Sequence, residues 1–389
     1  MALKRHRFVG RRRMVGLSQE RLAELMRVDR TTVARWEAGR TAPQPWMRPR
    51  LARALAVTAE QLDELLQDVS PTEMPRLPEA VERAPLRPSA AGLTTAAALR
   101  ERFDGLCARY DTMPSAALLT EAAQQLGDVT RVAGEARQGR AQRELRTLQA
   151  DTARLVGQIV WDASQRRDQE TARSYYEQSL SLARHLGDRS LESHALLRTG
   201  FLALYGANAP RAALPLFEQA AAAAEPVSQA LAGLALLHVA EAQATIGDAG
   251  ACERALAAAE RRWDRARSTD AAIDLVSTAQ FSRLAGSCYL TLGQLPRARR
   301  LLETSAHSLS GKSRALVLGN LALTHMRQRR IEAATHTLNE AITEAEETRG
   351  GAALTVIFTA GRELRPWWTH PPVADVHDRL LGLLASPRS

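Results

Sequence analysis

Three cysteines in 389 residues, with no CxxC pair and no histidine pair at ligand spacing, leave no basis for a disulfide framework or a zinc site. Aromatic residues make up only 4% of the chain, too few for an all-β protein, whose strands favour aromatic and β-branched side chains. No apolar run approaches the ~18 residues of a membrane span, and no uninterrupted apolar signal region follows the basic N-terminus. A cytoplasmic protein with no membrane partner is therefore expected. Nothing matches a P-loop, a dinucleotide fingerprint or a nucleophile elbow. The histidines at 185, 194, 238, 307, 325 and 336 show no HxxxH or HExxH order, and Glu344, Glu346 and Glu347 sit in a charged, solvated run. No catalytic residue, no metal and no cofactor are expected, so an enzyme is not. Lysine occurs only at Lys4 and Lys312, a usage most simply explained by GC-rich coding.

What is present points to helices. Hydrophobic residues reach 45% and charged residues 24%, and the length suggests two or three domains at roughly 150 residues each. The net charge of +9 is not spread evenly. Residues 1–57 hold 14 Lys and Arg against 4 Asp and Glu, while the remaining 332 residues sum to −1. A basic module is thus joined to an electrically balanced body, and concentrated positive charge is what an anionic polymer seeks. Five of the seventeen prolines fall between Pro71 and Pro88, where each fixes its own φ and disfavours helix in the residue before it. The expected organisation is a helical domain over 1–68, a Pro-rich linker over 69–93, and a helical body over 94–389.

Within the basic module, Ser18 is a good N-cap for a helix in which Leu22, Leu25 and Met26 share one face. Asp29 can cap a second helix, residues 30–37, which ends at Gly39, a residue suited to a left-handed closing position. Two helices joined by so short a turn form a helix-turn-helix. Val33 and Trp36 face inward, leaving Arg30, Thr31, Thr32, Ala34 and Arg35 outward. In a major groove, Arg30 and Arg35 would read guanine, and the threonines would offer a hydroxyl or touch a thymine methyl. The start of the first helix, with Ser18 and the Gln19 amide, would hold a phosphate. Arg5, Arg7, Arg11, Arg12 and Arg13, with Arg40 beyond the glycine, would neutralise backbone charge.

The run from Leu17 to Gly39, with LSQ, LA and then R-T-T-V-x-R-x-E-x-G, closely resembles the Xre family of lambda-repressor-like helix-turn-helix regulators. The resemblance covers about 65 residues and implies a five-helix domain with further helices near Pro45 to Ala56 and Thr58 to Leu66. Arg27, where Gly or Asn is common, and Trp36, where Ile or Leu is usual, are departures.

The body shows a repeat: Gly286, Tyr289, Gly293 and Ala298 fall at tetratricopeptide spacing, and weaker copies place the same small residue at Ala172, Ala213, Cys252 and Ala334. The intervals of 41, 39, 46 and 36 residues exceed the usual 34, so helices or turns are lengthened. A further helical pair is expected between Thr94 and Gly139, with Pro114 in a first turn. The body thus resembles a tetratricopeptide-like α-superhelix, and the fold class expected for the chain is all-α. Such a solenoid offers a concave face. The inward positions of the repeat select Arg154, Gln158 and Trp161, then Arg198 and Tyr205, then His238 and Glu241, then Gln280, Arg283 and Ser287, and finally Asn320 as a candidate ligand groove. Trp367 and Trp368 fit a plug of the core, a dimer contact or a ligand lid, of which the plug is favoured.

An Xre-type reader joined to such a body is similar in architecture to RRNPP-type regulators. This resemblance implies a homodimeric transcription regulator that binds double-stranded DNA at a palindromic operator, with a peptide or small-molecule effector in the superhelix. A DNA-tethered protein-interaction scaffold without a small ligand is the alternative.

Overall fold

The computed structural model describes residues 5–15, 17–26, 28–39, 41, 43–44, 47–55, 57–58, 61–62, 65–66, 90–136, 139–367 and 369–385. Eighteen helices and no strand occur among them. The chain divides into two compact units, Met1–Pro85 and Leu86–Ser389.

In the first unit, α1 (His6–Met14), α2 (Gln19–Met26), α3 (Arg30–Glu37) and α4 (Arg48–Ala54) surround one core. That core contains Phe8, Leu22, Met26, Val33, Trp36, Leu51, Leu55 and Leu62. Trp36 fits as a fully enclosed side chain, so the departure from the family pattern costs no exposed aromatic surface. Helical residues recur at 61–62 and 65–66. Ser18 caps α2 as its sequence position predicts, its Oγ accepting from the Arg21 N–H at 3.0 Å. Asp29 occupies the N-cap position of α3 with extended backbone but accepts no capping hydrogen bond through its side chain. Gly39 closes α3 at φ 66°, the left-handed conformation that glycine adopts without a Cβ penalty.

The second unit starts with α5 (Ala90–Tyr110) and α6 (Ser115–Glu135). The first of these begins inside the expected linker, because Ala90 and Ala91 are strong helix formers; the rest of the linker, residues 69–89, lies outside the described residues. Pro114 stands at the N-cap of α6 rather than inside its first turn. Six further pairs follow: α7 (Arg140–Ala163) with α8 (Gln169–Leu186), α9 (Arg189–Phe201) with α10 (Pro210–Ala224), α11 (Gln229–Ile246) with α12 (Ala249–Arg265), α13 (Thr278–Thr291) with α14 (Leu295–Ala306), α15 (Gly311–Arg327) with α16 (Ile331–Thr348), and α17 (Gly351–Glu363) with α18 (Pro371–Ala385). The small residues that revealed the repeat, Ala172, Ala213, Cys252, Ala298 and Ala334, are all fully buried on the second helix of their pairs. Short side chains there let the paired helices approach closely.

The stretched intervals have visible causes. Between α9 and α10 lies a π-helical turn, Leu202–Gly206, and between α12 and α13 a loop with a 3-10 turn at Ile273–Leu275. Close approach is tightest at Gly200 and Gly233, where a Cβ would lie 2.3 Å from the Phe217 and Trp263 rings respectively. Gly200→Ala is expected to destabilise the second unit by about 1–3 kcal/mol through overpacking, measurable by urea unfolding. Trp367 sits in a 3-10 turn, half-buried against the main core; Trp368 lies outside the described residues.

The stack of pairs closes on itself. α17 packs against α7, and Lys312 at the start of α15 reaches back to the beginning of the unit. Its backbone N–H donates to the Asp111 carbonyl at 3.1 Å, and its ammonium lies 2.7 Å from Ser115 Oγ and 3.2 Å from Asp162 Oδ2. Ser115 donates to the same carboxylate at 2.6 Å, and the Gly351 N–H donates to its other oxygen at 2.6 Å. The ammonium also stands 3.9 Å from the centre of the Tyr110 ring. Lys312 and Asp162 side chains are each only 8% exposed, so this polar joint sits in low dielectric and is fully paired, as a buried charge must be.

Candidate nucleic-acid interface and concave chamber

On α3, Thr31 and Arg35 are exposed and Thr32 and Ala34 half-exposed, while Val33 and Trp36 point into the core. The alternation follows from the helical period, which puts positions 33 and 36 on one face and 31 and 35 away from it. The Arg35 side chain makes no hydrogen bond or ion pair with any described residue and stays available to a ligand. Arg30 is also exposed, but its Nε is held 2.6 Å from Glu20 Oε1.

The basic residues upstream divide in a way their sequence positions did not indicate. Arg12, expected on a phosphate, is buried: its Nε meets Glu37 Oε1 at 2.5 Å, both side chains being less than 10% exposed, and its Nη1 donates to the Leu17 carbonyl at 2.5 Å. Arg5 is likewise buried, donating to the carbonyls of Trp36 at 3.0 Å and Thr41 at 2.8 Å. The Arg5 guanidinium thus satisfies carbonyls at and beyond the C-terminal end of α3, where positive charge is favoured and acceptors lack helical partners. Half-buried Arg11 donates to the Leu55 carbonyl at 2.8 Å, so it clamps the end of α4. Gln19, expected to offer its amide to a phosphate, instead donates to Glu37 Oε2 at 2.5 Å. Glu37 therefore collects α1, α2 and α3 at one carboxylate. The Arg13 side chain, Arg40 and Arg27 lie outside the described residues.

In the second unit the predicted groove residues all lie on first helices or just after them, and the structure brings most of them together. Tyr205 and His238 both bond Glu241 Oε2, at 2.7 and 2.6 Å. Burial pushes Glu241 upward, but hydrogen bonds from His238 and Tyr205 and the charge of Arg283 prevail and hold it below the ordinary carboxylate range. Burial lowers His238 despite Glu241, so a neutral imidazole faces a carboxylate. His238 is stacked within 4.5 Å of the Phe201 ring, edge to face. Trp161 is a core residue more than a groove residue, 5% exposed and donating to the Arg166 carbonyl at 3.2 Å. Arg154 is anchored to Asp151 at 3.3 Å, and Gln158 bonds the Tyr110 hydroxyl. Arg283 donates to Gln280 at 3.2 Å, and Asn320 donates to Ser287 at 3.1 Å, so the amide expected to grip a ligand is engaged in spanning α15 to α13.

Three participants escaped the repeat register. Arg166 lies in the turn between α7 and α8, Tyr176 on a second helix, and His194 one helical turn before Arg198. Arg166 has φ 63° and its neighbour Gln165 φ 52°, a pair of left-handed non-glycine residues that the chain sustains at some cost. That geometry turns Arg166 back over the Trp161 ring, 4.6 Å from its centre, and 5.3 Å from the Tyr205 ring. The π turn carries Tyr205 into this contact. Burial, then the charges of Arg154 and Arg198, push His194 down to about 3. Its unfolded-state value is near 6.5, so between these limits the unfolded chain binds a proton that the folded chain does not. Stability is expected to fall as pH drops from about 6.5 toward 3. Thermal unfolding of wild type and His194→Gln across that range checks this, and the variant should show a flatter profile.

Among the described residues no cluster of three or more metal-ligating side chains exists, and no helix is long and apolar enough to cross a membrane.

Compared with known proteins, residues 4–65 match a helix-turn-helix domain family. No curated protein matches the chain. Among solved structures, it is similar to a Rap protein complexed with competence and sporulation factor, with 10% identity and a TM-score of 0.42 over 74% of this chain and 98% of that one. It is also similar to Bacillus thuringiensis PlcR in complex with the peptide PapR7 and DNA, with 13% identity and a TM-score of 0.37 over 85% of this chain and 99% of that one. The protein thus carries an N-terminal helix-turn-helix domain followed by an all-α repeat unit.

Proposed function

We propose that the protein is a sequence-specific, non-enzymatic transcription regulator that binds double-stranded DNA through α3 and responds to a peptide or small-molecule effector in the concave chamber of its repeat unit. The observation that carries this reading is α3 itself, which sits in a matched helix-turn-helix domain and turns Thr31, Thr32 and Arg35 outward. In such a domain this helix enters the major groove, where Arg bonds guanine O6 and N7 and Thr supplies a hydroxyl or a methyl contact. Arg35 is the principal base reader, since its side chain has no partner among the described residues, whereas Arg30 must leave Glu20 before it reaches a base. The N-terminal end of α2 and the exposed part of the basic surface contact phosphate and set register without reading sequence.

The regulator acts as a homodimer on a palindromic operator, its effector changing the spacing of the two readers. An effector can do this only by binding two conformations of the repeat unit with different affinity. The domain organisation proposed is reader over 1–68, linker over 69–93, and sensor with dimerisation surface over 94–389.

Genome-wide DNA pull-down with purified protein, followed by gel shift on the recovered sites, tests the reading. Arg35→Ala is expected to weaken the best site by about 1–3 kcal/mol, roughly 5- to 150-fold, while non-specific binding changes little. Failure to find any site bound better than bulk DNA would refute it. Operator affinity measured with and without culture extract tests the effector separately.

A further inference from the structure

Two guanidiniums beside the first helices of the repeat unit, Arg166 and Arg198, have no carboxylate paired with them among the described residues. Arg166 makes only ring contacts through its guanidinium, and Arg198 makes none beyond a 5.4 Å approach to the Phe201 ring. Neither forms an ion pair or side-chain hydrogen bond with any described residue. Arg154 spends one nitrogen on Asp151, at 3.3 Å, and leaves its Nε buried without a partner. Arg166 lies over Trp161 and Arg198 over Phe201, and both rings belong to the small cluster that encloses Tyr176; the charges of Arg198, Arg154 and Arg166 all act on the Tyr176 hydroxyl. Of the carboxylates that act on this group, Asp162 is already committed to Lys312, Ser115 and the Gly351 N–H, and Asp111 acts on Arg198 without an ion pair.

Tyr176 is 0% exposed and its hydroxyl has no partner. Its ring is held from behind by Gly157, where a Cβ would come within 2.7 Å of it, so the hydroxyl cannot swing away. The Arg166 Nε is buried and unpartnered as well. Three orphan donors in one place are unusual, because buried polar groups in native proteins are almost always hydrogen-bonded. Arg166 is moreover kept there by left-handed backbone, and Tyr205 beside it by a π turn, and strain of this kind gathers at ligand sites.

We infer that the chamber binds its ligand through an anionic group, a carboxylate or a phosphate, seated between Arg154, Arg166 and Arg198 and accepting the Tyr176 hydroxyl. Planar guanidinium forks suit either oxyanion, and a charge-assisted hydrogen bond is stronger than a neutral one. The apolar remainder of the ligand lies toward Phe201 and Tyr205, whose ring centres are 5.7 Å apart. This inference rests on the effector reading above and narrows the effector to anions.

The test uses the full chain and four probes: inorganic phosphate, citrate, a pool of random pentapeptides with free C-terminal carboxylates, and the same pool amidated. Thermal shift and calorimetry should show saturable binding of at least one anionic probe. Response to the free-carboxylate pool but not the amidated pool assigns a peptide terminus, while response to phosphate or citrate alone assigns a small anion. Arg166→Gln and Arg198→Gln should each weaken binding about tenfold or more, and Arg254→Gln, on the exposed face of α12, should not. Tyr176→Phe is the guard against misfolding. It removes only an unpartnered buried hydroxyl, so it should leave the melting temperature of the free protein at or above that of the wild type yet weaken binding about tenfold. Equal binding of the amidated pool, insensitive to Arg166→Gln and Arg198→Gln, would overturn the anionic site and leave the effector reading standing. No saturable response to any anion would also overturn the site, its orphan donors then being met by ordered water. The effector reading itself fails only if operator affinity is unmoved by culture extract.

Discussion

Glu37→Ala is expected to abolish operator binding although Glu37 touches no DNA. Its carboxylate takes Arg12 on one oxygen and Gln19 on the other. Removing it leaves a guanidinium buried without a counter-charge, a change that costs about 3–5 kcal/mol. A domain of some 60 residues has a total stability of roughly 3–9 kcal/mol at 0.05–0.15 kcal/mol per residue, so most of it is lost. Hydrogen exchange over residues 5–41 and gel shift on the same preparation should show both effects together. Arg35→Ala should instead lose binding with exchange unchanged. Replacing both partners by apolar residues, Arg12→Met with Glu37→Leu, should recover much of the stability, since a buried pair is often no better than a packed hydrophobic one. A Glu37→Ala protein that remains protected and binds its operator would sink this account.

The second large effect lies at the joint that closes the repeat unit. Lys312→Ala leaves Asp162 buried with hydrogen bonds from Ser115 and Gly351 but no ammonium, and is expected to cost about 3–5 kcal/mol. The loss is not spread evenly. Because Lys312 joins segments about 200 residues apart in sequence, from Ser115 to Lys312, its removal should release α15 and α17 from α6 and α7 before the rest of the stack melts. Hydrogen exchange should show early deprotection at residues 111–115 and 350–354, with α11 and α12 protected as in wild type. Small-angle scattering should report an expanded particle. Lys312→Met, which keeps the aliphatic stem packed near Tyr110 and Gly350 but not the charge, separates packing from pairing. A uniform loss of protection across the unit would contradict the closed-joint account.

The helix-turn-helix was readable because its signals are local. Ser18, Leu22, Val33, Trp36 and Gly39 each act within one or two helical turns, through capping, facial periodicity or a left-handed terminus. The repeat was readable for a related reason. A small residue must recur wherever two helices cross closely, so Ala172, Ala213, Cys252, Ala298 and Ala334 mark the second helices even though the spacing between them drifts.

Charge was less legible. Concentration of arginine in residues 1–57 marked the reader but could not sort the arginines, because a guanidinium bound for phosphate and one that caps a buried helix end look identical in sequence. Arg35 stays free, Arg30 is tied to Glu20, and Arg5 and Arg12 are spent inside the domain. The concave chamber followed the repeat register as far as first helices contribute to it. Arg166, Tyr176 and His194 did not follow it, since a strained turn and a neighbouring second helix bring them in.

By itself, then, the sequence determined the all-α class, the basic reader, the face of α3 that points outward and the repeated pairs, because each depends on spacing of one to a few turns. Only the tertiary structure decided which arginines remain unpaired, and that Lys4's one companion in the chain, Lys312, closes the repeat unit. The pairings of Arg5 and Arg12 reach as far as 36 residues along the chain and the Lys312 joint 197. In a low-dielectric interior a charge must find such a partner wherever the fold supplies it, and no short-range pattern in the chain encodes that meeting.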